Sequence, residues 1–338
     1  MAMLRSALLS FYRVHGRDLP WRKTHDPYAI WLSEVMLQQT QVATVIPRFA
    51  ELLQRFPDVH ALARAQERTV CEAWAGLGYY RRARSLHEAA VVITTKLGSH
   101  LPDTEAAWRQ LPGIGAYTAA AIASIAFGER TPAVDGNVVR VLARLFHLPG
   151  RASAPALVHE VHAQAQMLVD CDCPGDVNQA LMDLGATLCR PASPDCPACP
   201  LRRLCDAGRA GDAAAYPGKK AKTPRQELPV AFAWVERGHA LLLEQRPLAG
   251  LWAGLWELPS ASGPGAKRVL GLRLGAELGP PVARVEHQLT HRQVVARVYR
   301  ATCDRHPGQK WWRVPLSAPL SALARKAIVT MGARHGAG

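Results

Sequence analysis

Two carboxyl groups in the first half of the chain have surroundings that favour chemistry. Glu34 is the first, because its helical neighbours at i−4, i−3 and i+3 are Ile30, Trp31 and Leu37. A carboxyl group on such an apolar face is costly to bury in its charged form, so its pKa should rise and it could serve as a general acid. The alternative is a glutamate at the edge of the apolar face, in contact with water.

Asp135 is the second carboxyl group, and it precedes a helix predicted over Val138–Phe146. The positive end of that helix should keep the carboxylate ionised, although an aspartate here could equally be a simple helix cap. One protonated and one ionised carboxyl group form the pair that cleaves glycosidic bonds. The acid protonates the leaving group, and the anion stabilises an oxocarbenium-like sugar.

A tight turn, Leu111-Pro-Gly-Ile-Gly115, separates helices predicted over Thr104–Gln110 and Tyr117–Phe127. Gly113 and Gly115 are expected to adopt backbone angles that a side chain would forbid, so that the N–H groups of the turn can hold a DNA phosphate. The alternative is an ordinary helix end followed by a new helix. If the turn grips DNA, the leaving group of the carboxylate pair is a nucleobase, which must be flipped out of the duplex.

Four of the eight cysteines lie within seventeen residues and predict a metal site: Cys189, Cys196, Cys199 and Cys205. Disulfides at this density belong to small secreted domains, and the chain shows no export signal. The uneven spacing is compatible with a [4Fe–4S] cluster and with zinc, and the spacing by itself leaves both open. The remaining cysteines are expected to be ordinary reduced thiols: Cys71, Cys171, Cys173 and Cys303.

Length and composition indicate a globular protein of about two domains, at roughly 150 residues each. No stretch has the roughly 20 apolar residues that a transmembrane helix needs, so no membrane-spanning segment is expected. The expected location is the cytoplasm of a bacterium, with association to the nucleoid through DNA. The net charge is +14, and residues 216–338 hold 19 Lys and Arg against seven Asp and Glu. This excess favours a polyanionic partner, above all nucleic acid.

Hydrophobic periodicity predicts a mainly helical first domain over residues 1–215, with the cysteine loop at 189–205. Besides the three helices given above, helices are predicted from Pro27 toward Gln39 and over Val42–Phe56, Arg68–Gly76, Arg81–Leu97, Pro155–Leu168 and Val177–Leu188. The Pro-, Gly- and Lys-rich stretch 216–229 is predicted to be a linker. Residues 230–338 are predicted to form a smaller α+β domain, with strands at Val230–Val235, Ala240–Gln245, Val282–Thr290 and Val294–Thr302.

Seven motifs occur together in one order through residues 17–220: Leu19-Pro-Trp-Arg22, Trp31 to Gln39, Gly76-Leu-Gly-Tyr79-Tyr80, Leu111 to Gly115, Val134-Asp-Gly-Asn137, Asn178 to Gly185, and the four clustered cysteines. In this combination the chain resembles the helix–hairpin–helix DNA glycosylases, and among them the adenine DNA glycosylases. The resemblance implies a mainly α N-terminal glycosylase domain with an iron–sulfur loop and an α+β NUDIX-like C-terminal domain.

The resemblance also implies catalytic roles. Glu34 would protonate a ring nitrogen of adenine, Asp135 would stabilise the sugar cation, and Asn137 would support Asp135. Tyr117 stands where relatives that also cleave the DNA strand carry a nucleophilic lysine. Without an amine there, the enzyme should be a glycosylase without lyase activity.

Further roles are implied for binding. The adenine pocket would comprise Arg17, Trp21, Arg22 and Gln179. The residues implied to contact DNA are Gln38, Gln39, Tyr79, Gly113 and Gly115. The cysteine spacing matches the [4Fe–4S] loop of the family, which favours that cluster over zinc.

The C-terminal domain is similar to a NUDIX fold without the Arg-Glu-x-x-Glu-Glu helix of the hydrolases, so a binding role is expected. Relatives carry Phe-Ser-His in a loop where this chain has Leu289-Thr290-His291. Thr290 and His291 are therefore expected to recognise 8-oxoguanine. The expected partner is double-stranded DNA with an adenine:8-oxoguanine or adenine:guanine mispair, bound by a monomer that contacts no membrane.

Two other functions are alternatives to an adenine DNA glycosylase without lyase activity. An endonuclease III-like enzyme would also cleave the strand, but Tyr117 and the additional domain oppose it. A non-catalytic iron–sulfur DNA-binding protein would need no acid at positions 34 and 135, and the presence of Glu34 and Asp135 opposes this alternative.

Overall fold

The computed structural model describes residues 1–218, 226–247, 250–289, 292–303 and 308–335. For residues 333–335 it describes only the backbone. Contacts between Cα atoms divide the chain into two compact units, residues 1–221 and 222–338. No helix within these described ranges is long and apolar enough to cross a lipid bilayer.

The first unit is helical in its described part. Its helices are α1 Ala2–His15, α2 Pro27–Leu37, α3 Val42–Arg55, α4 Val59–Arg64, α5 Glu67–Ala73, α6 Arg81–Lys96, α7 Glu105–Trp108, α8 Ala116–Phe127, α9 Gly136–Leu145, α10 Pro155–Val169, α11 Pro174–Thr187 and α12 Asp206–Ala210. The helices predicted for this region are present, so its mainly α class is confirmed. Three helices were not predicted, namely α1, α4 and α12.

Two hydrophobic cores meet at α8. Ala119, Ile122 and Ala123 pack into a core with α2 to α6, whereas Ala120 and Ala121 pack into a second core with α1 and α9 to α11. A helix that is apolar on every side can be buried on every side, and the small alanines let neighbouring helices approach closely. The residue at the start of α8, Tyr117, consequently lies where side chains from both cores converge.

The described part of the second unit forms two four-stranded sheets. Its strands are β1 Gln226–Trp234, β2 Glu236–Arg237, β3 Ala240–Gln245, β4 Trp256–Glu257, β5 Ser260–Ser262, β6 Ala283–Gln288, β7 Arg292–Arg300 and β8 Gln309–Trp312. One sheet has the order β5-β1-β7-β6, with β1 and β7 parallel. In the other, β3 pairs with β2, β4 and β8.

Two helices cover the β5-β1-β7-β6 sheet, α13 at Ala266–Leu274 and α14 at Ala322–His335. Alternate side chains of β1 face opposite sides, so Phe232 packs in the core that includes α14 and Ala233 in the core that includes α13. This arrangement confirms the α+β class predicted for the domain.

The predicted linker, 216–229, differs from the structure at both of its ends. Gly218 donates its N–H to Gly150 O at 2.8 Å, so this residue belongs to the first unit. β1 already begins at Gln226, where it pairs with Arg292 of β7. The predicted bounds were wrong at both ends because Pro and Lys content does not reveal whether backbone N–H and C=O groups form hydrogen bonds with other segments. Pro229 is tolerated within β1, and its carbonyl accepts a hydrogen bond from the Gly263 N–H at 2.8 Å.

Candidate active site

A cavity of about 320 Å³ lies within the first unit, where α2, α8, α9 and α11 come together. Nine residues predicted for catalysis or binding line it: Arg17, Trp21, Arg22, Glu34, Gln38, Tyr117, Asp135, Asn137 and Gln179. The predicted DNA contacts Gln39, Tyr79, Gly113 and Gly115 do not line it, and the clustered cysteines surround a different cavity.

Glu34 lies on the central part of α2, a helix whose side chains are buried from Tyr28 to Met36. Asp26 caps this helix by accepting a hydrogen bond from the Tyr28 N–H at 3.0 Å. The Glu34 side chain is buried (6% of the residue is exposed), and its Oε2 has no hydrogen-bond partner in the described part of the chain. Burial, together with the nearby charge of Asp135, raises the pKa of Glu34 to about 7, against the opposing influences of Tyr117 and Arg22. The carboxyl group is therefore half protonated near neutral pH.

Tyr117 provides a neutral hydroxyl group beside Glu34. Burial raises the pKa of Tyr117 well above its usual value, and the charges of Glu34 and Asp135 add to this effect. Its hydroxyl donates to Met182 Sδ at 3.5 Å, and the interaction of Tyr117 with Glu34 lowers the pKa of that carboxyl group, which favours its ionised form. The phenol thus remains protonated and offers no nucleophile at neutral pH.

Asp135 is the N-cap of α9, as the sequence indicated. One carboxylate oxygen accepts the Val138 N–H at 2.8 Å, and the other accepts Nδ2 of Asn137 at 2.7 Å. Asn137 Oδ1 in turn accepts a hydrogen bond from Arg140 at 2.8 Å. These contacts fix the carboxylate at the positive end of the helix and orient it toward the cavity.

Close packing of α9 against α11 holds Asn137 in place. A Cβ atom on Gly185 would lie 2.6 Å from Asn137 Cβ, so a side chain there would force the helices apart. Arg140 spans the same junction by donating to the carbonyl oxygens of Gly185 and Cys189, at 2.9 and 2.8 Å. The residues beside the cavity are thereby linked to the cysteine loop.

Asp183 is a functional residue that the sequence analysis did not single out, although it lies within the quoted Asn178–Gly185 motif. It is fully buried on α11 and accepts hydrogen bonds from Arg17 Nε at 2.7 Å and from Arg22 at 2.6 and 2.9 Å. Burial alone would raise the pKa of Asp183, but the hydrogen bonds and charges of the two arginines outweigh burial and lower it. The carboxylate therefore holds both arginines at the cavity wall. Its position four residues after Gln179, on the same helix face, was the available signal.

The segments that carry Gln39 and Tyr79 both have left-handed backbone, with φ values of 58° and 48°. Tyr79 is 58% exposed, which is unusual for a large aromatic side chain. Gln38 donates to Thr118 Oγ1 at 3.1 Å and faces the cavity, whereas Gln39 turns away from it.

Arg82 ties these two segments together and was also missed by the sequence analysis. It donates at 2.7–3.0 Å to four backbone oxygens, those of Val35, Met36, Leu77 and Gly78. It also bonds Thr40 Oγ1 at 2.8 Å, and its guanidinium lies 5.6 Å from the centre of the Tyr79 ring. Arg82 stands between Arg81 and Arg84, and nothing in one sequence distinguishes the buried arginine from the other two.

Replacing Arg82 with lysine is expected to lower the free energy of unfolding by about 2 kcal/mol, because several buried carbonyl groups lose their donor. The resemblance implies that Gln39 and Tyr79 contact DNA, so binding to a mispaired duplex is expected to weaken about tenfold when these residues lose their fixed positions. Chemical denaturation and fluorescence anisotropy measure the two effects. Arg81→Lys, at an exposed position on the same helix, is the matched control. Unchanged DNA binding by Arg82→Lys would show that this arginine does not position the two segments for DNA.

The turn between α7 and α8 confirms one glycine prediction and corrects the other. Gly113 has φ +76°, and a Cβ atom there would lie 2.5 Å from Ser85 Cβ, so glycine is required. Gly115 has φ −91° and ψ 174°, an extended conformation that any residue can adopt, with open space around it. The prediction that Gly115 adopts a backbone angle forbidden to other residues was therefore wrong. Gly115 is the N-cap of α8, and this position needs only extended backbone.

The four clustered cysteines surround a second cavity, which is also lined by Arg144 and Gly208. Arg144 donates to Cys189 Sγ, and the Gly208 N–H donates to Cys205 Sγ, both at 3.3 Å. Burial raises the pKa of Cys199 to about 11, and the other three thiols contribute to this rise. Within the described ranges, no three Cys, His, Asp or Glu side chains are arranged as a single-ion site. Four thiols around one cavity, with N–H donors to sulfur, fit a larger four-thiolate group.

Comparison with known proteins gives consistent relatives for both units. Residues 32–166 match the family model of the HhH-GPD superfamily base excision DNA repair protein, and residues 230–329 match that of the NUDIX domain. The chain is 37% identical to the adenine DNA glycosylase of Mus musculus, over 95% of this chain and 76% of that protein. It is 32% identical to the adenine DNA glycosylase of Buchnera aphidicola (strain Sg), over 75% of this chain and 73% of that protein.

Solved structures show the same fold for the helical unit. A thermostable thymine-DNA glycosylase matches with a TM-score of 0.56 and 29% identity, over 62% of this chain and 96% of that one. An endonuclease III in a non-covalent DNA complex matches with a TM-score of 0.53 and 23% identity, over 62% of this chain and 97% of that one.

Proposed function

Because this chain belongs to the adenine DNA glycosylases of the HhH-GPD superfamily, which hydrolyse the N-glycosyl bond of adenine in DNA, we propose that its substrate is adenine mispaired with 8-oxoguanine or guanine. We also propose the residues that perform the reaction. The observation that carries the proposal is the buried Glu34, with a pKa of about 7, in one cavity with Asp135.

In the proposed reaction, protonated Glu34 donates its proton to a ring nitrogen of the flipped-out adenine. The leaving base then departs as a neutral molecule, and positive charge develops on the sugar. Asp135, held by Val138 and Asn137, stabilises that charge. Tyr117 stabilises the carboxylate that Glu34 becomes after proton transfer, because its hydroxyl group favours the ionised form.

Water adds to the sugar cation and releases a proton, so the proposed reaction ends at an abasic site with a hydroxyl group on the sugar carbon. Cleavage of the DNA strand through a Schiff base requires an amine nucleophile, and Tyr117 offers a phenol that stays protonated. The proposed adenine pocket uses Gln179, whose amide can both donate to and accept from the edge of adenine. Arg17 and Arg22 form ion pairs with Asp183, which holds them at the edge of the pocket. Trp21 packs edge-on against Phe49 at the wall of the pocket.

Single-turnover cleavage of duplexes that place adenine opposite 8-oxoguanine, guanine or cytosine tests this proposal. Alkali treatment after the reaction converts abasic sites into strand breaks. The expected result is release of adenine opposite 8-oxoguanine and guanine, with strand breaks only after alkali. Breaks without alkali, or equal release opposite cytosine, would contradict the proposal.

We further propose that Cys189, Cys196, Cys199 and Cys205 hold a [4Fe–4S] cluster. When bound, the cluster supplies four covalent bonds that order residues 189–205. Arg140 donates hydrogen bonds both to the Cys189 carbonyl group and to Asn137 Oδ1. An ordered cysteine loop would therefore also fix the position of Asn137. Arg144 stabilises the thiolate of Cys189 by its hydrogen bond to sulfur.

The purified protein is expected to be brown and to contain four irons, and Cys199→Ser should lose most of this iron. The same variant should bind mispaired DNA several-fold more weakly, because the loop that carries the other thiolates would lose a cross-link. Iron analysis, absorption spectra and DNA binding measure these effects. Cys71→Ser, outside the cluster cavity, should resemble the wild type. A colourless, zinc-loaded and fully active protein would contradict the assignment.

The second unit is proposed to recognise the base opposite adenine through Thr290 and His291, which lie outside the described residues. On either side of them, the Leu289 N–H donates to Arg292 O at 2.8 Å, and β6 pairs antiparallel with β7. A threonine hydroxyl and an imidazole can both make hydrogen bonds to the edge of an oxidised base. Leu289 takes the place of an aromatic residue in the resembled loop, so the proposal includes no stacking on the base.

The double variant Thr290→Ala with His291→Ala is expected to lower the preference for 8-oxoguanine over guanine by about tenfold, since each base contact contributes about 1–3 kcal/mol of discrimination. The rates of adenine release from the two mispairs, measured side by side, give this ratio. A control double variant, His239→Ala with Thr302→Ala, changes the same residue types at exposed positions of the same unit. An unchanged ratio in the first variant would exclude this loop as the lesion reader.

A further inference from the structure

Two cysteines outside both sites described above, Cys171 and Cys173, lie in the short segment between α10 and α11. Their Sγ atoms are 3.9 Å apart, and both residues are half-buried. Neither lines the cavity of the clustered cysteines or the cavity of Glu34. They therefore form a separate pair of thiols that small molecules in solution can reach.

One arginine and local backbone hydrogen bonds contact the segment that carries these thiols. Arg130 donates to Asp170 and to Asp172, each at 2.9 Å. The two acidic side chains of Asp170-Cys-Asp-Cys173 thus share one cation, while the two alternate thiols contact each other. Because the backbone already holds the thiols side by side, little further conformational entropy must be lost to join them.

We propose that Cys171 and Cys173 form a reversible disulfide by exchange with a low-molecular-weight disulfide such as oxidised glutathione. In the first step, the thiolate of one cysteine attacks a sulfur of oxidised glutathione and releases one glutathione thiol. In the second step, the other cysteine attacks the mixed disulfide and releases the second glutathione. The protein loses two hydrogens, and one oxidised glutathione becomes two reduced molecules.

The geometry favours a reversible modification over a permanent cross-link. The sulfur atoms need to approach from 3.9 Å to the roughly 2.05 Å of a disulfide, a movement that side-chain rotation in a short loop can supply. The resulting ring spans only three residues, so strain should make the bond easy to reduce. Cys173 is also the N-cap residue of α11, the helix that carries Gln179 and Asp183. The modification would therefore sit at the start of a helix that lines the candidate active site.

The test is a thiol titration of the complete protein, with its cofactor, in buffers of increasing oxidised-to-reduced glutathione ratio. Remaining thiols are alkylated after acid quenching, and the tryptic peptide of residues 152–202 is analysed by mass spectrometry. Fragment ions assign the alkylation state of Cys171 and Cys173 separately from that of the other cysteines in this peptide. We expect a peptide that has lost two hydrogens and is not alkylated at Cys171 or Cys173. Returning the protein to reduced glutathione should restore both thiols.

Three variants make the result specific. Cys171→Ser should trap glutathione on Cys173 as a stable mixed disulfide, because the second attacking thiol is missing. Arg130→Gln should slow ring closure several-fold, because the segment is no longer held, whereas Cys71→Ser should close at the wild-type rate. Stable glutathione adducts in the wild type, a disulfide to another cysteine, or the absence of any oxidation at these positions would overturn the proposal. No DNA or glycosylase activity enters the measurement, so the outcome does not depend on the proposed substrate.

Discussion

Replacement of Glu34 by glutamine is expected to reduce adenine release by roughly 10²–10⁴-fold while specific binding to the mispaired duplex is kept. Glutamine has nearly the same shape as the neutral carboxyl group, but it cannot donate a proton of suitable acidity to the leaving base. Single-turnover excision and equilibrium binding to an uncleavable duplex measure the two properties. Glu51→Gln, at an exposed position on α3, is the matched control. Near-normal excision by Glu34→Gln would remove Glu34 from the role of general acid.

The pH dependence of the wild-type enzyme provides an independent check of the same role. Glu34 acts in its protonated form, and burial raises its pKa to about 7. The excision rate should therefore fall about tenfold for each unit of pH well above 7. With the ordinary pKa of a glutamate, this decline would already begin near pH 4 to 5. A rate that is constant from pH 6 to 9 would contradict the assignment.

Asp135→Asn is expected to reduce excision by roughly 10²–10³-fold or more, because an amide cannot offset the positive charge that develops on the sugar. Asparagine is as good an N-cap as aspartate, so the hydrogen bond from Val138 and the start of α9 should persist. The substitution therefore changes the charge while retaining the local fold. Single-turnover excision, together with the thermal unfolding midpoint, separates these two effects.

The control for Asp135→Asn is the same substitution at another helix start. Asp58 caps α4 by accepting the Ala61 N–H at 2.7 Å, and it does not line the candidate active site. Asp58→Asn should leave excision unchanged. If Asp135→Asn retains more than a few per cent of wild-type activity, Asp135 has only a capping role.

Several features of this protein follow from the sequence alone because they depend on neighbours along the chain. The apolar residues around Glu34 lie within one turn of the same helix, so its burial and raised pKa could be predicted. Asp135 precedes a helix, so its capping geometry could be predicted as well. The four clustered cysteines are brought to one cavity largely by their proximity in the chain. Local periodicity similarly predicted most of the helices and the principal strands.

Other features depend on contacts between distant parts of the chain, and only the tertiary structure decided them. Asp183 meets Arg17 and Arg22 more than 160 positions away, and Arg82 joins two segments on either side of α3 to α5. Gly113 must be glycine partly because Ser85 of another helix lies against it, whereas Gly115 has no such neighbour. Glu34 and Asp135 share a cavity only because α8 packs into two cores at once and brings α2 toward α9. A residue's local pattern specifies its own helix or strand, but its partners across the fold are selected by packing, which no spacing along the chain encodes.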